Sequence, residues 1–132
     1  MTVLERLPAV LREHLPGLLG VWLFGTWGSE HERPDSDIDL AVLAERPLTL
    51  EERLAALEGL SALTDRDVDL VDLTRNDAII RIQAIAHGRR IYCADAERCD
   101  RFEDFVYADY ARLNEERAAI LRDIAARGRI HA

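Results

Sequence analysis

Asp37 and Asp39 are the residues whose type and spacing most directly imply chemistry. They stand at i and i+2 at the head of an apolar run, Ile38 and then Leu40-Ala41-Val42-Leu43. Along a strand, residues i and i+2 point the same way, so both carboxylates project from one face. Two carboxylates about 4 Å apart repel by roughly 4 kcal/mol at an effective dielectric of ~20. An Asp-x-Asp at a strand edge can be no more than a solvated loop end. A pair retained for chemistry needs a cation between its members, and hard oxygen ligands of this kind suit Mg²⁺. Upstream, the apolar run Val21-Trp22-Leu23-Phe24 ends at Gly25-Thr26, a small residue followed by a hydroxyl. Gly25 lets the backbone approach a ligand without a Cβ. Thr26 stands where a following helix needs an N-cap, and exposed amides there make an anion site. A third acidic element is Asp67-Val68-Asp69-Leu70-Val71-Asp72-Leu73, an alternating strand pattern. Asp69 shares a face with Val71 and Leu73, as Asp39 does with Ala41 and Leu43. If the two strands are neighbours, Asp69 completes a three-carboxylate cluster. Asp67 shares that face at the strand's start and is the next candidate for the third position. Asp72 alternates away and reads as structural.

The order Gly-Thr, ten residues, Asp-x-Asp and a later strand aspartate resembles the signature of the polymerase-β-like nucleotidyltransferase superfamily. Within it the chain is similar to the minimal nucleotidyltransferases, and most closely to the MntA-type antitoxins paired with a HEPN-domain toxin. Val68 to Leu73, the stretch Ile82-Gln83-Ala84-Ile85 leading into His87-Gly88-Arg89-Arg90-Ile91-Tyr92, and the tail Tyr110 to Arg117 also look like that group. The resemblance implies an α/β (α+β) fold, a small mixed sheet flanked by helices with a long helical C-terminal tail. It implies ATP as donor and transfer of AMP to a tyrosine of a partner HEPN ribonuclease, which silences the toxin, in a hetero-oligomer. In that scheme Asp37 and Asp39 hold Mg²⁺ on the triphosphate, and Asp69 is a ligand of a second ion and the base for the incoming hydroxyl. Gly25 and Thr26 bind the nucleotide. The chain departs from the pattern twice. Gly25-Thr26 replaces the usual Gly-Ser, and Ser29 and Glu30 stand where many members have an Arg and a Gly. A small-molecule nucleotidyltransferase of the antibiotic-modifying kind needs a second domain to wall its acceptor site, and 132 residues leave little room for one. The other rival is an antitoxin that acts by occupancy alone.

Composition bounds the reading. The 132 residues fit one domain, a core over about 1–93 and a helical tail over about 95–127. The net charge is −8, and all 17 basic residues are Arg. Without Lys, a Schiff base and a P-loop are excluded. The acidic balance argues against free nucleic acid as a partner, which usually selects a basic stripe. Arg89-Arg90 is the one adjacent basic pair and reads as a solvated strand start. No 18-residue apolar stretch exists, and the N-terminus does not resemble a signal peptide. Cys93 and Cys99 lack ligand or redox spacing, so two free thiols in the cytoplasm are expected.

The elements that must position the carboxylates follow from periodicity. Leu4 to Leu15 predicts an amphipathic helix, interrupted early by Pro8 and ended by Pro16-Gly17. Strands are expected at Val21–Phe24, from Asp37 to Leu43, at Val68–Leu73 and at Arg90–Cys93. A helix over Leu50–Leu63 has apolar residues at 50, 54, 57, 60 and 63. Asp77 caps a helix through Ala86, with Ile79, Ile82 and Ala86 inward, and Gly88 stops it.

Asp95 to Arg127 contains neither Gly nor Pro. A single helix there would span ~50 Å and overhang a globule whose radius of gyration is near 14 Å. Its apolar stripe is Phe102, Val106, Tyr110, Leu113, Ile120, Leu121 and Ile124. The alternative is a break near Asn114 and a fold back. His14, His31, His87 and His131 lack zinc spacing and read as surface residues. His31 and Glu30 lie beside the phosphate turn and are candidate substrate contacts. Trp22 reads as core, while Trp27 either packs inward or flanks the nucleotide.

Overall fold

A computed structural model describes residues 1–25, 27, 32, 33, 37–75 and 77–131, the last three by backbone alone. The elements run α1 (Val3–His14), β1 (Leu18–Phe24), β2 (Ile38–Ala44), α2 (Leu50–Thr64), β3 (Val68–Asp72), α3 (Ala78–His87), β4 (Arg89–Cys93) and α4 (Ala96–His131). The strands form one mixed sheet in the order β3-β2-β1-β4. β1 pairs antiparallel with both β2 and β4, whereas β2 and β3 are parallel. A parallel pair needs a long crossover, and α2 supplies it. Central β2 is buried at six of its seven positions, so it reads as a continuous apolar run rather than an alternation.

The sheet has a dry core on each face. On one, Leu7 and Leu11 of α1 and Ala56 and Leu60 of α2 meet Val21, Leu40, Val42 and Leu70. On the other, Ala84 and Ile85 of α3 and Cys99 and Val106 of α4 meet Trp22, Ala41, Leu43 and Leu73. Helix α1 runs through Pro8 without a break. Pro inside a helix costs ~3 kcal/mol. Full burial of Leu7 and Leu11 contributes about 1.5–3 kcal/mol each, which offsets that cost. β1 begins three residues before the expected Val21, because Gly20 leaves the space that the Trp22 ring occupies. A Cβ on Gly20 would come within 2.7 Å of that ring.

Two helix faces differ from the periodicity. In α2 the buried residues are Ala56 and Leu60, while Leu50 and Leu54 stay 70% and 56% exposed. In α3 the inward residues are Ala84 and Ile85, and Ile79 and Ala86 are exposed. That helix is apolar nearly all round, so spacing permits several phases and close packing selects one. A Cβ on Gly88 would meet the Ala84 carbonyl oxygen at 2.0 Å, which requires glycine where α3 turns into β4.

Helix α4 is continuous over 36 residues, about 54 Å at 1.5 Å per residue. Its first half is fastened to the sheet by a polar chain at the edge of the core. Trp22 Nε1 donates to Glu103 Oε1 at 2.9 Å, and Arg90 Nη1 reaches Asp100 at 2.9 Å and Glu103 at 3.4 Å. Arg90 is therefore an anchor for α4 and not a solvated strand start. The second half leaves the body, and Ile120, Leu121 and Ile124 remain 59%, 56% and 58% exposed. The Arg127–Asp123 pair at i, i+4 supports it. No helix among the described residues is long and apolar enough to cross a membrane.

Asp72 ties the crossover to the sheet from inside. It is 3% exposed and accepts from Leu48 N at 2.9 Å, Thr74 N at 3.0 Å and Thr74 Oγ1 at 2.7 Å. Asp72→Ala should therefore cost about 2–4 kcal/mol in urea unfolding, because buried donors lose their acceptor. Asp72→Asn, which keeps one oxygen, should cost less; equal midpoints for wild type and the Ala variant would contradict this role.

Candidate active site

Parallel pairing sets the acidic residues side by side. The β2–β3 register opposes Asp39 to Asp69, one level above the Ile38–Val68 pair that opens the ladder. Ile38 N donates to the Asp67 carbonyl at 2.9 Å, which fixes that start. Neighbouring strands lie ~4.8 Å apart, so the two aspartates share one face at short range. Asp37 is exposed immediately before β2. The Asp39 carboxyl is pushed above its ordinary value, first by partial burial, then by the charge of Asp69 and that of Asp37. Asp67 is not among the charges acting on it, which favours Asp69 over Asp67 as the third member.

The glycine turn meets this cluster from β1. Phe24 pairs with Asp39, and Gly25 follows at φ +78°, a left-handed conformation that favours glycine. A Cβ there would lie 2.1 Å from Asp39 Oδ2. Gly25 is thus required both by its dihedral and by the carboxylate lying over it. Thr26 lies outside the described residues, as do Gly28, Ser29, Glu30 and His31.

Trp27 is half-buried against the α1/α2 core and lines a cavity of about 240 Å³ with Phe24, Gly25, His87 and Arg89. His87 was not singled out by spacing, yet α3 delivers it to this cavity. The signal for it is the Gly88 turn, which returns the chain to β1 beside Leu23. His14 is half-buried rather than free on the surface, with its ring against Gly59. Cys93 and Cys99 are free thiols; burial pushes the Cys99 thiol up to about 12, and it donates to the Leu19 carbonyl at 3.4 Å.

The donor set is all oxygen and carries unneutralised negative charge, which fits a hard divalent cation. Among the described residues no three Asp, Glu, His or Cys side chains stand close enough to hold a metal ion by themselves.

A family model described as polymerase beta, nucleotidyltransferase, matches residues 5–97. The chain belongs to this nucleotidyltransferase family. The match covers the sheet with α1, α2 and α3, and ends as α4 begins. Over 117 residues, 89% of this chain and 84% of the relative, it is 32% identical to the protein adenylyltransferase MntA of Shewanella oneidensis. A crystal structure of a toxin–antitoxin with AMP-PNP superposes with a TM-score of 0.80 at 30% identity, covering 92% of this chain and 98% of that one. A structure of tri-AMPylated Shewanella oneidensis HEPN toxin in complex with MNT antitoxin gives a TM-score of 0.76 at 29% identity, covering 93% and 96%. These matches extend beyond residue 97, so much of α4 belongs to the shared architecture.

The electrostatics of this nucleotidyltransferase site predict a pH effect of definite sign. Because the folded pKa of Asp39 is raised, its contribution to stability is present below the unfolded value of 3.8 and is lost as pH rises through the raised value. At pH 7, without divalent cations, Asp39→Asn should melt at or above the wild-type temperature. The difference should close as pH falls through the raised pKa, where the wild-type carboxyl is already neutral. A large drop in melting temperature at pH 7 would count against the repelling cluster.

Proposed function

We propose that this nucleotidyltransferase is a protein adenylyltransferase, moving AMP from ATP to a tyrosine of a partner HEPN ribonuclease toxin and so silencing it. The observation that carries the reading is the placement of Asp39 level with Asp69 beside the Gly25 turn. The identity with MntA and the likeness to a complex holding an AMPylated HEPN toxin support the acceptor, and the likeness to the AMP-PNP complex supports the donor. Gly25 lets the phosphates approach the backbone. Thr26 donates its hydroxyl and amide to the β- and γ-phosphates. Mg²⁺ held by Asp37 and Asp39, with a second ion at Asp69, would supply charge neutralisation and acidify the acceptor hydroxyl. The tyrosyl oxygen bonds to the α-phosphorus, the bond from that phosphorus to the bridging oxygen breaks, and pyrophosphate leaves. Asp69 takes the phenolic proton. Catalysis on this reading is positioning and charge stabilisation. The two free thiols suit a reducing cytoplasm.

Catalysis and partner binding use different residues. The carboxylates lie on the strands, whereas the exposed stripe Ile120, Leu121 and Ile124 lies on the overhang of α4. The double variant Asp37→Asn, Asp39→Asn should still co-purify with the HEPN toxin but leave its intact mass unchanged in ATP and Mg²⁺. Leu121→Glu should weaken the complex at least tenfold by placing an unpaired carboxylate in an apolar contact. Its melting temperature should stay at the wild-type value, since Leu121 is 56% exposed. If the wild-type chain adds no adenylate yet inhibits the ribonuclease fully, the enzyme reading fails and inhibition by occupancy replaces it.

A further inference from the structure

Helices α3 and α4 cover the face of the sheet that bears Asp39 and Asp69, since Ala41, Leu43, Val71 and Leu73 of the same alternation pack beneath them. The direction of α3 brings its last residue, His87, to the carboxylate end of that face. Arg89 pairs with Leu23, and Asp39 pairs with the adjoining Phe24. Between the two helices lies a groove of about 440 Å³, lined by Ile82, Gln83, Ala86, His87, Tyr107 and Tyr110. Such a volume falls within the roughly 300–1,000 Å³ usual for ligand sites. His87 also lines the cavity at Gly25 and Trp27, so one residue borders both spaces.

We infer that the groove between α3 and α4 is the acceptor subsite, which seats a tyrosine-bearing segment of the partner protein and leads its phenol past His87 to the carboxylates. This rests on the transferase reading above. The lining chemistry suits that occupant. Isoleucine, alanine and tyrosine walls accept an aromatic ring, and the Gln83 amide and His87 imidazole offer hydrogen bonds to a hydroxyl at its tip. Apolar surface here lacks an intramolecular partner, with Ile79 and Tyr107 42% and 50% exposed. The groove and the proposed docking stripe lie on one helix: Leu113 follows Tyr110 by one turn on α4, and Ile120 comes two turns after that. One partner can therefore lie along the overhang and present its acceptor at the groove.

The test uses the full chain with its HEPN toxin, ATP and Mg²⁺. Ala86→Arg and Tyr107→Arg each put a long cation into the groove from an exposed position, so their melting temperatures should match wild type. Each should raise the KM for toxin tenfold or more while leaving the KM for ATP within twofold. With the photo-cross-linker p-benzoylphenylalanine in place of Tyr107, the captured toxin peptide should contain the adenylylated tyrosine. Wild-type KM for toxin in both Arg variants would overturn the subsite. So would cross-links to a second copy of this chain, or to a toxin surface remote from the modified tyrosine. If the unaltered chain adds no adenylate at all, the transferase reading itself falls and the subsite with it, a result distinct from a defect confined to the groove variants.

Discussion

The parallel register between β2 and β3 is the constraint on which the rest of this molecule turns. Because side chains alternate, a slip of one residue would carry Asp69 to the opposite face and put Val68 or Leu70 beside Asp39. Burial of β2 on both faces holds it in one setting, as does the α2 crossover. The crossover in turn is fixed where the chain enters α2. A reciprocal cap joins Thr49 and Glu52, with Glu52 N to Thr49 Oγ1 at 3.1 Å and Thr49 N to Glu52 Oε1 at 2.9 Å. At the far end of β3, Asp72 accepts from Leu48 just ahead of that cap. The like charges of Asp37, Asp39 and Asp69 are pressed together by core packing elsewhere in the sheet. Their mutual repulsion raises the Asp39 carboxyl, so they gain nothing from one another as charged groups.

The two faces of the sheet divide the work. The α1/α2 face is closed largely by aliphatic side chains, and its buried polar group, Asp72, is spent on holding Leu48 and Thr74. The α3/α4 face alternates between core and chemistry along the same strands: Ala41 and Leu43 lie beneath the helices, and Asp39 lies beyond them. Where α3 ends sets where the core stops. Gly88 permits that ending, and it leaves His87 at the border. The chain from Trp22 through Glu103 to Arg90 then fixes the roll of α4 on this face, which decides that Tyr107 and Tyr110 line the groove beside α3 while Cys99 and Val106 point inward.

Much of this was legible in the residues, and the failures have definite causes. Strand alternation placed Asp39 and Asp69 on comparable faces, but pairing them required long-range topology that spacing does not encode. The absence of Gly and Pro over Asp95–Arg127 permitted either a long helix or a broken one. The polar clamp that seats the first half of the helix joins Trp22 to Glu103, 81 positions apart in sequence. Arg90 looked solvated because its acidic partners arrive ten and thirteen residues later on another element. The phase of α3 was misjudged because a helix apolar on nearly every side satisfies several periodicities at once. The inward face is chosen by the small Ala84 at the Gly88 turn, a steric fact absent from hydropathy.

Among the described residues, the groove between α3 and α4 opens to solvent, and Ile120, Leu121 and Ile124 on the outer half of α4 stay exposed. On the proposed reading, a protein partner covers both surfaces. A partner docked along the overhang holds its acceptor near the groove at an effective concentration in the millimolar range for a short tether. The groove itself then needs little affinity, and its task reduces to orientation. That arrangement favours modification of a docked protein over free tyrosine or a small alcohol, neither of which gains from the stripe. On the proposed reading, selectivity for the acceptor protein resides mainly in α4, some distance from the atoms that react.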